Sequence, residues 1–138
     1  MNAAARPSPS PTQVTLPFWE AAAKGTLLFQ RCSDCKRTQS LPRLFCSHCM
    51  SEDVKWETSQ GLGTVYTFTV NHRAANAHMA DKVPYVVALV ELDEGVRMMA
   101  NIVDVAPETV RIGDRMQVQF LRLSDTISLP QFAPASTA

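Results

Sequence analysis

Two cysteine pairs of identical internal spacing, Cys32-x2-Cys35 and Cys46-x2-Cys49, stand ten residues apart and use every cysteine of the 138-residue chain. Two residues between thiolates let a tight knuckle turn aim both sulfurs at one ion, and two such knuckles complete a tetrahedron. Residues 32 to 49 are therefore expected to fold around a metal. Four thiolates leave no open coordination position, so the site reads as structural rather than catalytic. Zinc is the first choice; iron suits a tetrahedral sulfur cage too, and spacing does not separate them. Two disulfides are the rival arrangement, but no export signal precedes the cysteines, and cytosolic thiols stay reduced. His48, inside the second pair, can stand in for a ligand but is not needed, and reads as an exposed knuckle residue.

Metal binding carries an energetic consequence. Apparent binding energies of about 10–16 kcal/mol in zinc-finger peptides match or exceed the net stability of a small domain, about 5–15 kcal/mol. Without metal, the first half of the chain is expected not to fold. Thiolate ligation by a divalent ion also changes the formal charge from +0 to about −2. Lys36, Arg37 and Arg43 sit close by to offset that locally, with a phosphate contact as their second reading.

The length suits one medium domain or two small modules sharing a core. Hydrophobic residues at 46% and charged residues at 19% describe a globular protein. Lys plus Arg and Asp plus Glu cancel at 13 each, so no general field attracts polyanions. The longest apolar run, Val83 to Val90, is too short to cross a bilayer, and a soluble, cytoplasmic protein without membrane contact is expected.

Along the chain, residues 1–15 carry prolines at 7, 9 and 11 and read as a loose tail. Residues 16–25 (LPFWEAAAKG) predict a short helix, with Pro17 in the first turn and Gly25 as its stop; Phe18, Trp19 and Ala22 share one side. Leu27 to Gln30 and Val54 to Glu57 read as strands bracketing the cysteines, so that helix and ribbon occupy 16–60. From 61 to 132 the texture is β runs divided by turn residues: Thr64 to His72, Tyr85 to Leu92, Arg97 to Val103 and Met116 to Leu123. A fifth strand requires either a bulge in the first run or pairing of Ile127 to Leu129. In the first run Tyr66, Phe68 and Val70 alternate with Val65, Thr67 and Thr69, a pattern that buries the two aromatics. Asp93-Glu94-Gly95 signals a hairpin, and Val110 to Asp114 a turn. A small closed barrel hides the edges of so few strands. Residues from Phe132 onward look like tail, with 133–138 wholly outside the barrel. The methionines at 98, 99 and 116 read as core filler.

Committing all thiols to a cage leaves no cysteine nucleophile, and no GxSxG elbow, Walker loop or HExxH helix is present. His72 or His78 with Asp81 can form an acid–base pair, although a histidine ending an apolar strand more often serves structure. The connection from Asn71 to Lys82 is the one long loop among the strands. Arg73 and Lys82 at its ends can grip a diphosphate; a solvated hairpin tip is the equal alternative.

The helix FWEAAAKG, the leading LLFQRC, the knuckles CSDC and CSHC, then GxGTVYTFTVNHR, PYVVALVELDEG and VRIGD resemble a bacterial and archaeal family that joins a rubredoxin-like zinc ribbon to an OB-fold. The likeness runs from residue 16 to about 132. It implies a mainly β fold: an N-terminal helix, a rubredoxin-like zinc ribbon and a C-terminal five-stranded OB-fold barrel. It also implies a role in acyl-CoA metabolism as a non-catalytic accessory subunit, in a hetero-oligomer with a thiolase-like ketothiolase, acyltransferase or aldolase. Members bridge subunits and help shape the acyl-CoA entrance, so Arg43, Arg73 and Lys82 become candidate acyl-CoA contacts, and Cys32, Cys35, Cys46 and Cys49 the Zn2+ ligands. One departure is visible, for Lys36 and Met50 follow the second cysteine of each knuckle where glycine is frequent. Two other functions compete with this one. Single-stranded nucleic-acid binding needs a basic groove with stacking aromatics, which the charge balance disfavours. A stand-alone acyl-CoA enzyme would depend on His72 or His78.

Overall fold

A computed structural model describes residues 6–136. Residues 1–5 of the expected N-terminal tail, and residues 137 and 138 of the C-terminal one, lie outside them. Helix α1 (Leu16–Ala23) begins beside a Thr12–Thr15 turn, carries Pro17 in its first turn and stops at Gly25, whose φ of 82° suits a residue without Cβ. Its Ala22 is buried, and Phe18, in edge-on contact with Trp19, packs onto the main core.

Strands β1 (Leu27–Cys32) and β3 (Val54–Ser59) pair antiparallel from Leu27 opposite Ser59 to Cys32 opposite Val54. Between them a two-residue strand, β2 (Thr38–Gln39), adds to the other edge of β1. This three-stranded ribbon, ordered β2-β1-β3, holds the cysteines at its end.

The barrel comprises β4 (Leu62–Asn71), β5 (Tyr85–Leu92), β6 (Arg97–Ile102), β7 (Arg115–Arg122) and β8 (Ser128–Pro134), closed in the order β4-β5-β6-β8-β7. Closure leaves no free edge. A mainly β fold with one N-terminal helix, a zinc-ribbon cysteine cluster and a five-stranded OB-type barrel is therefore what the chain forms. The Asp93–Gly95 turn joins β5 to β6, with the Leu92 N–H donating to the Val96 carbonyl at 2.8 Å.

Three readings are corrected. The pairing of β4 with β5 shifts between Val65 and Thr67, so Tyr66 bulges outward at 45% exposure while Val65 stays in the core. Strict alternation, which buried Tyr66, fails because the extra residue resets the register. Phe132 is not tail: β8 continues to Pro134, and Phe132 is 0% exposed, opposite Val118 on one side and Ile102 on the other. Met98 and Met116 fill the core, but Met99 faces outward at 70% exposure because neighbours on a strand point to opposite faces.

Ribbon and barrel share one core. Leu27 and Phe29 of β1 belong to the same buried cluster as Val65, Val90, Leu92, Met116 and Phe132. The crossing from β3 to β4 is fixed by Glu94, which accepts the Ser59 hydroxyl and the Gln60 N–H, each at 2.8 Å. Gly61 follows at φ 76°, where a Cβ would run into Val118.

Candidate metal centre and adjoining cavities

Both knuckles are built from the same backbone pattern. The Lys36 N–H donates to the Cys32 carbonyl and the Cys32 N–H to the Arg37 carbonyl; four residues into the second knuckle, Met50 N–H donates to Cys46, and Cys46 N–H to Ser51. Each turn closes on a residue with positive φ, 68° at Lys36 and 67° at Met50. The glycine conformation is thus kept although glycine is absent. Backbone N–H groups also point at sulfur, among them Cys35 at Cys32 Sγ (3.4 Å) and His48 at Cys46 Sγ (3.3 Å).

This geometry gathers all four sulfurs within 4.8 Å of one another, with Cys32–Cys49 and Cys35–Cys46 separations of 3.6 Å. A disulfide needs about 2.05 Å, whereas a tetrahedron with metal–sulfur bonds of about 2.3 Å has edges near 3.8 Å. The cage fits a tetrahedral ion.

Its proton affinities point the same way. The Cys35 N–H, against burial, holds the Cys32 thiol below its ordinary value. At Cys46, burial pushes upward but the Cys49 and His48 N–H groups prevail and hold it at about 6. At Cys49 the Ser51 N–H pulls downward, yet burial and the three neighbouring sulfurs push it to about 12. Four thiolates this close need a cation to carry the charge together. His48 is exposed and its Nδ1 lies 3.3 Å from Arg37 Nη1, outside the ligand set.

Beside the cage, ribbon and barrel enclose an open cavity of about 620 Å³ lined by Arg31, Lys36, Arg37, Arg43 and Arg97, with Glu91 and Glu94 on the barrel side. Both acids are engaged, Glu94 as above and Glu91 with Arg97 at 3.2 Å. Arg31 pairs with Glu57, and Arg97 also lies over the Tyr66 ring at 3.7 Å. Lys36, Arg37 and Arg43 have no carboxylate partner among the described residues. Next to it, an apolar cavity of about 530 Å³ is lined by Phe18, Trp19, Leu41, Leu89, Met98 and Met99.

The three cations expected at a ligand do not converge. Arg43 lines the basic cavity with Glu91 near the end of β5, whereas Arg73 and Lys82 flank the β4–β5 connection, before the start of that strand, and do not line the cavity. Lys82 pairs with Asp81 at 3.3 Å. That connection is organised rather than an open tip: Ala77–Met79 form a 3-10 turn capped by the Asn76 side chain, and Met79 is buried. His72 is exposed and His78 half-buried. Arg97 was missed because a lone arginine at the start of a strand, just past a hairpin turn, gives no sequence signal.

Comparison with known proteins finds two matching family models. The ChsH2 rubredoxin-like zinc ribbon domain matches residues 19–55, and the ChsH2 C-terminal OB-fold domain matches residues 56–121. A probable enoyl-CoA hydratase alpha subunit of Thermomonospora curvata is 40% identical over 96% of this chain, which spans only 41% of that relative's length. A DUF35 domain-containing scaffold protein of Methanocaldococcus jannaschii is 35% identical over 72% of this chain and 70% of its own. Among solved structures, a chain of the Ltp2-ChsH2(DUF35) aldolase is 37% identical with a TM-score of 0.79, covering 93% of this chain and 99% of that one.

Proposed function

Because the chain belongs to the DUF35 family of ChsH2-type zinc-ribbon and OB-fold proteins, we propose that it is a non-catalytic accessory subunit of a thiolase-like acyl-CoA enzyme, with Zn2+ in the four-cysteine cage. The observation that carries this reading is the closure of that cage. Every thiol of the chain faces the same point, so no cysteine within it is free to act as the nucleophile of acyl transfer, and on this reading a partner supplies one. Relatives that are hydratase alpha subunits, scaffold proteins and part of an aldolase support the reading.

The ion supplies a structural cross-link. Cys32, Cys35, Cys46 and Cys49 hold it, and the N–H groups of Cys35 and His48 stabilise charge on the sulfurs. The basic cavity gives acyl-CoA phosphates a place to bind at Arg43, with Lys36 and Arg37 beside it. Arg73 and Lys82 meet the same ligand only if it extends along β5. His72, His78 and Asp81 take no part in chemistry on this reading.

Co-expression with Ltp2, the chain named beside ChsH2 in that aldolase structure, tests the main claim. The chain is expected to co-purify with that subunit and, alone, to leave acyl-CoA thioesters unconsumed; turnover by the isolated chain would overturn the proposal. For the ligand contact, CoA titration by calorimetry should show Arg43→Ala weakening binding about tenfold, as loss of one charge-assisted hydrogen bond of about 1.5 kcal/mol predicts.

A further inference from the structure

The ribbon spends two buried amides on holding a loop whose large apolar side chains face solvent. Gln30 and Gln39, 4% and 9% exposed, sit opposite each other in the β1–β2 pair. Gln39 Nε2 donates to Gln30 Oε1 at 2.8 Å, and Gln30 then brackets Arg43, accepting its N–H at 2.9 Å and donating to its carbonyl at 3.1 Å. Gln39 donates to the Phe45 carbonyl at 3.3 Å and accepts the Ser47 N–H at 3.0 Å. Buried amides are costly unless satisfied, and these are satisfied largely by the loop backbone. The loop is thereby fixed between the knuckles.

What it displays is apolar. Leu41 is 66% exposed, Leu44 73%, Phe45 39%, and Met50, just past the second knuckle, 66%. A rigid loop presenting such side chains to water has no folding rationale, since each gains nothing from exposure. It does have a binding rationale: a preformed surface loses little conformational entropy when it docks. Leu41 also borders the apolar cavity under Trp19 and Met99, a socket for one anchoring side chain. Around the strip lie Lys36, Arg37 and Arg43, the cations without carboxylate partners among the described residues.

We infer that Leu41, Leu44 and Phe45 form a docking surface for a partner protein whose contact face has an apolar centre and a rim of carboxylates. Charge complementarity selects that occupant, because the strip's rim carries three cations that no carboxylate pairs directly among the described residues. The inference deepens the accessory-subunit reading, and rests on it, by saying where on this chain the partner sits. The two knuckles frame the loop, so an ion held by the cage would also fix its ends.

Two probes test it separately from that reading. Selection from a random peptide display library on the full, zinc-loaded chain should enrich peptides combining Leu or aromatic residues with Asp or Glu. The variant Leu41→Ser/Leu44→Ser/Phe45→Ser, with zinc content and thermal unfolding checked, should bind them at least tenfold more weakly, and Gln30→Ala should weaken them too by loosening the loop. No enrichment, enrichment of peptides without acidic residues, or undiminished binding by the triple variant overturns the inference. Binding to phosphatidylglycerol vesicles in place of peptides overturns it in favour of a lipid surface. Ltp2 is the second probe: capture by wild type and triple variant alike leaves the accessory role standing and removes this surface. Acidic–apolar peptides selected without any Ltp2 capture do the reverse.

Discussion

Lys36 and Met50 each complete a knuckle in a backbone region that costs an L-residue about 1–2 kcal/mol. Glycine adopts it freely but gives the unfolded chain about 0.4–1 kcal/mol of extra entropy. Lys36→Gly and Met50→Gly are therefore each expected to stabilise the metal-bound protein by about 0.5 kcal/mol, read as a rise of a degree or two in Tm; a fall would show that the side chains contribute more than the strain. Asp93 offers a pH-dependent counterpart. The Arg115 guanidinium, bound to both its oxygens at 2.7 and 2.9 Å, holds its carboxyl below the usual range. A depressed folded value means the pair stabilises above the unfolded carboxylate range near pH 4 and stops doing so as pH falls through the folded value. Asp93→Asn should thus lower Tm at pH 7 and lower it by less at pH 4, where the unfolded carboxyl begins to take up its proton, measured by circular dichroism. An equal loss at both values would assign the effect to hydrogen bonding rather than charge.

At the scale of elements, β8 decides whether the barrel closes. It lies between β6 and β7, and Phe132 fills the core from it. Phe132→Ala is expected to cost about 3–5 kcal/mol in urea unfolding, the range for a large core aromatic; a cost below about 0.5 kcal/mol would mean the last strand is dispensable. Sequence reading saw the other four barrel strands because their hydrophobic runs are bounded by turn residues. Ile127 to Phe132 is interrupted by Ser128 and by Pro130, which lies opposite Phe120 inside the β7–β8 pairing but short of the Phe132 position where β6 joins, and which conceals the strand. The bulge at Tyr66 was hidden for a related reason, since an extra residue changes register without changing composition.

Over the whole molecule, the shared core changes what metal removal should do. Taken alone, the cysteine spacing predicts that the entire first half unfolds without its ion. Leu27 and Phe29, however, are buried with barrel residues, so β1 retains apolar contacts that do not depend on the cage. Chelation monitored by hydrogen exchange should expose amides of residues 32–51 within minutes while β4 to β8 stay protected. Protection retained at 32–51 would mean the ion is not what folds the knuckles.

The metal cage, the helix and four barrel strands were legible in the chain because they depend on local rules: ligand spacing, capping and turn residues, and hydrophobic period. The candidate ligand contacts were legible only in part. Arg43 was recognisable beside the cysteines, but nothing in the spacing of Arg43, Arg73 and Lys82 reveals that a strand's length divides them. Arg97 facing the ribbon, the two glutamines gripping the loop and the common core all join residues far apart in sequence. Those juxtapositions follow from how strands pair and close, a long-range outcome that no local pattern encodes.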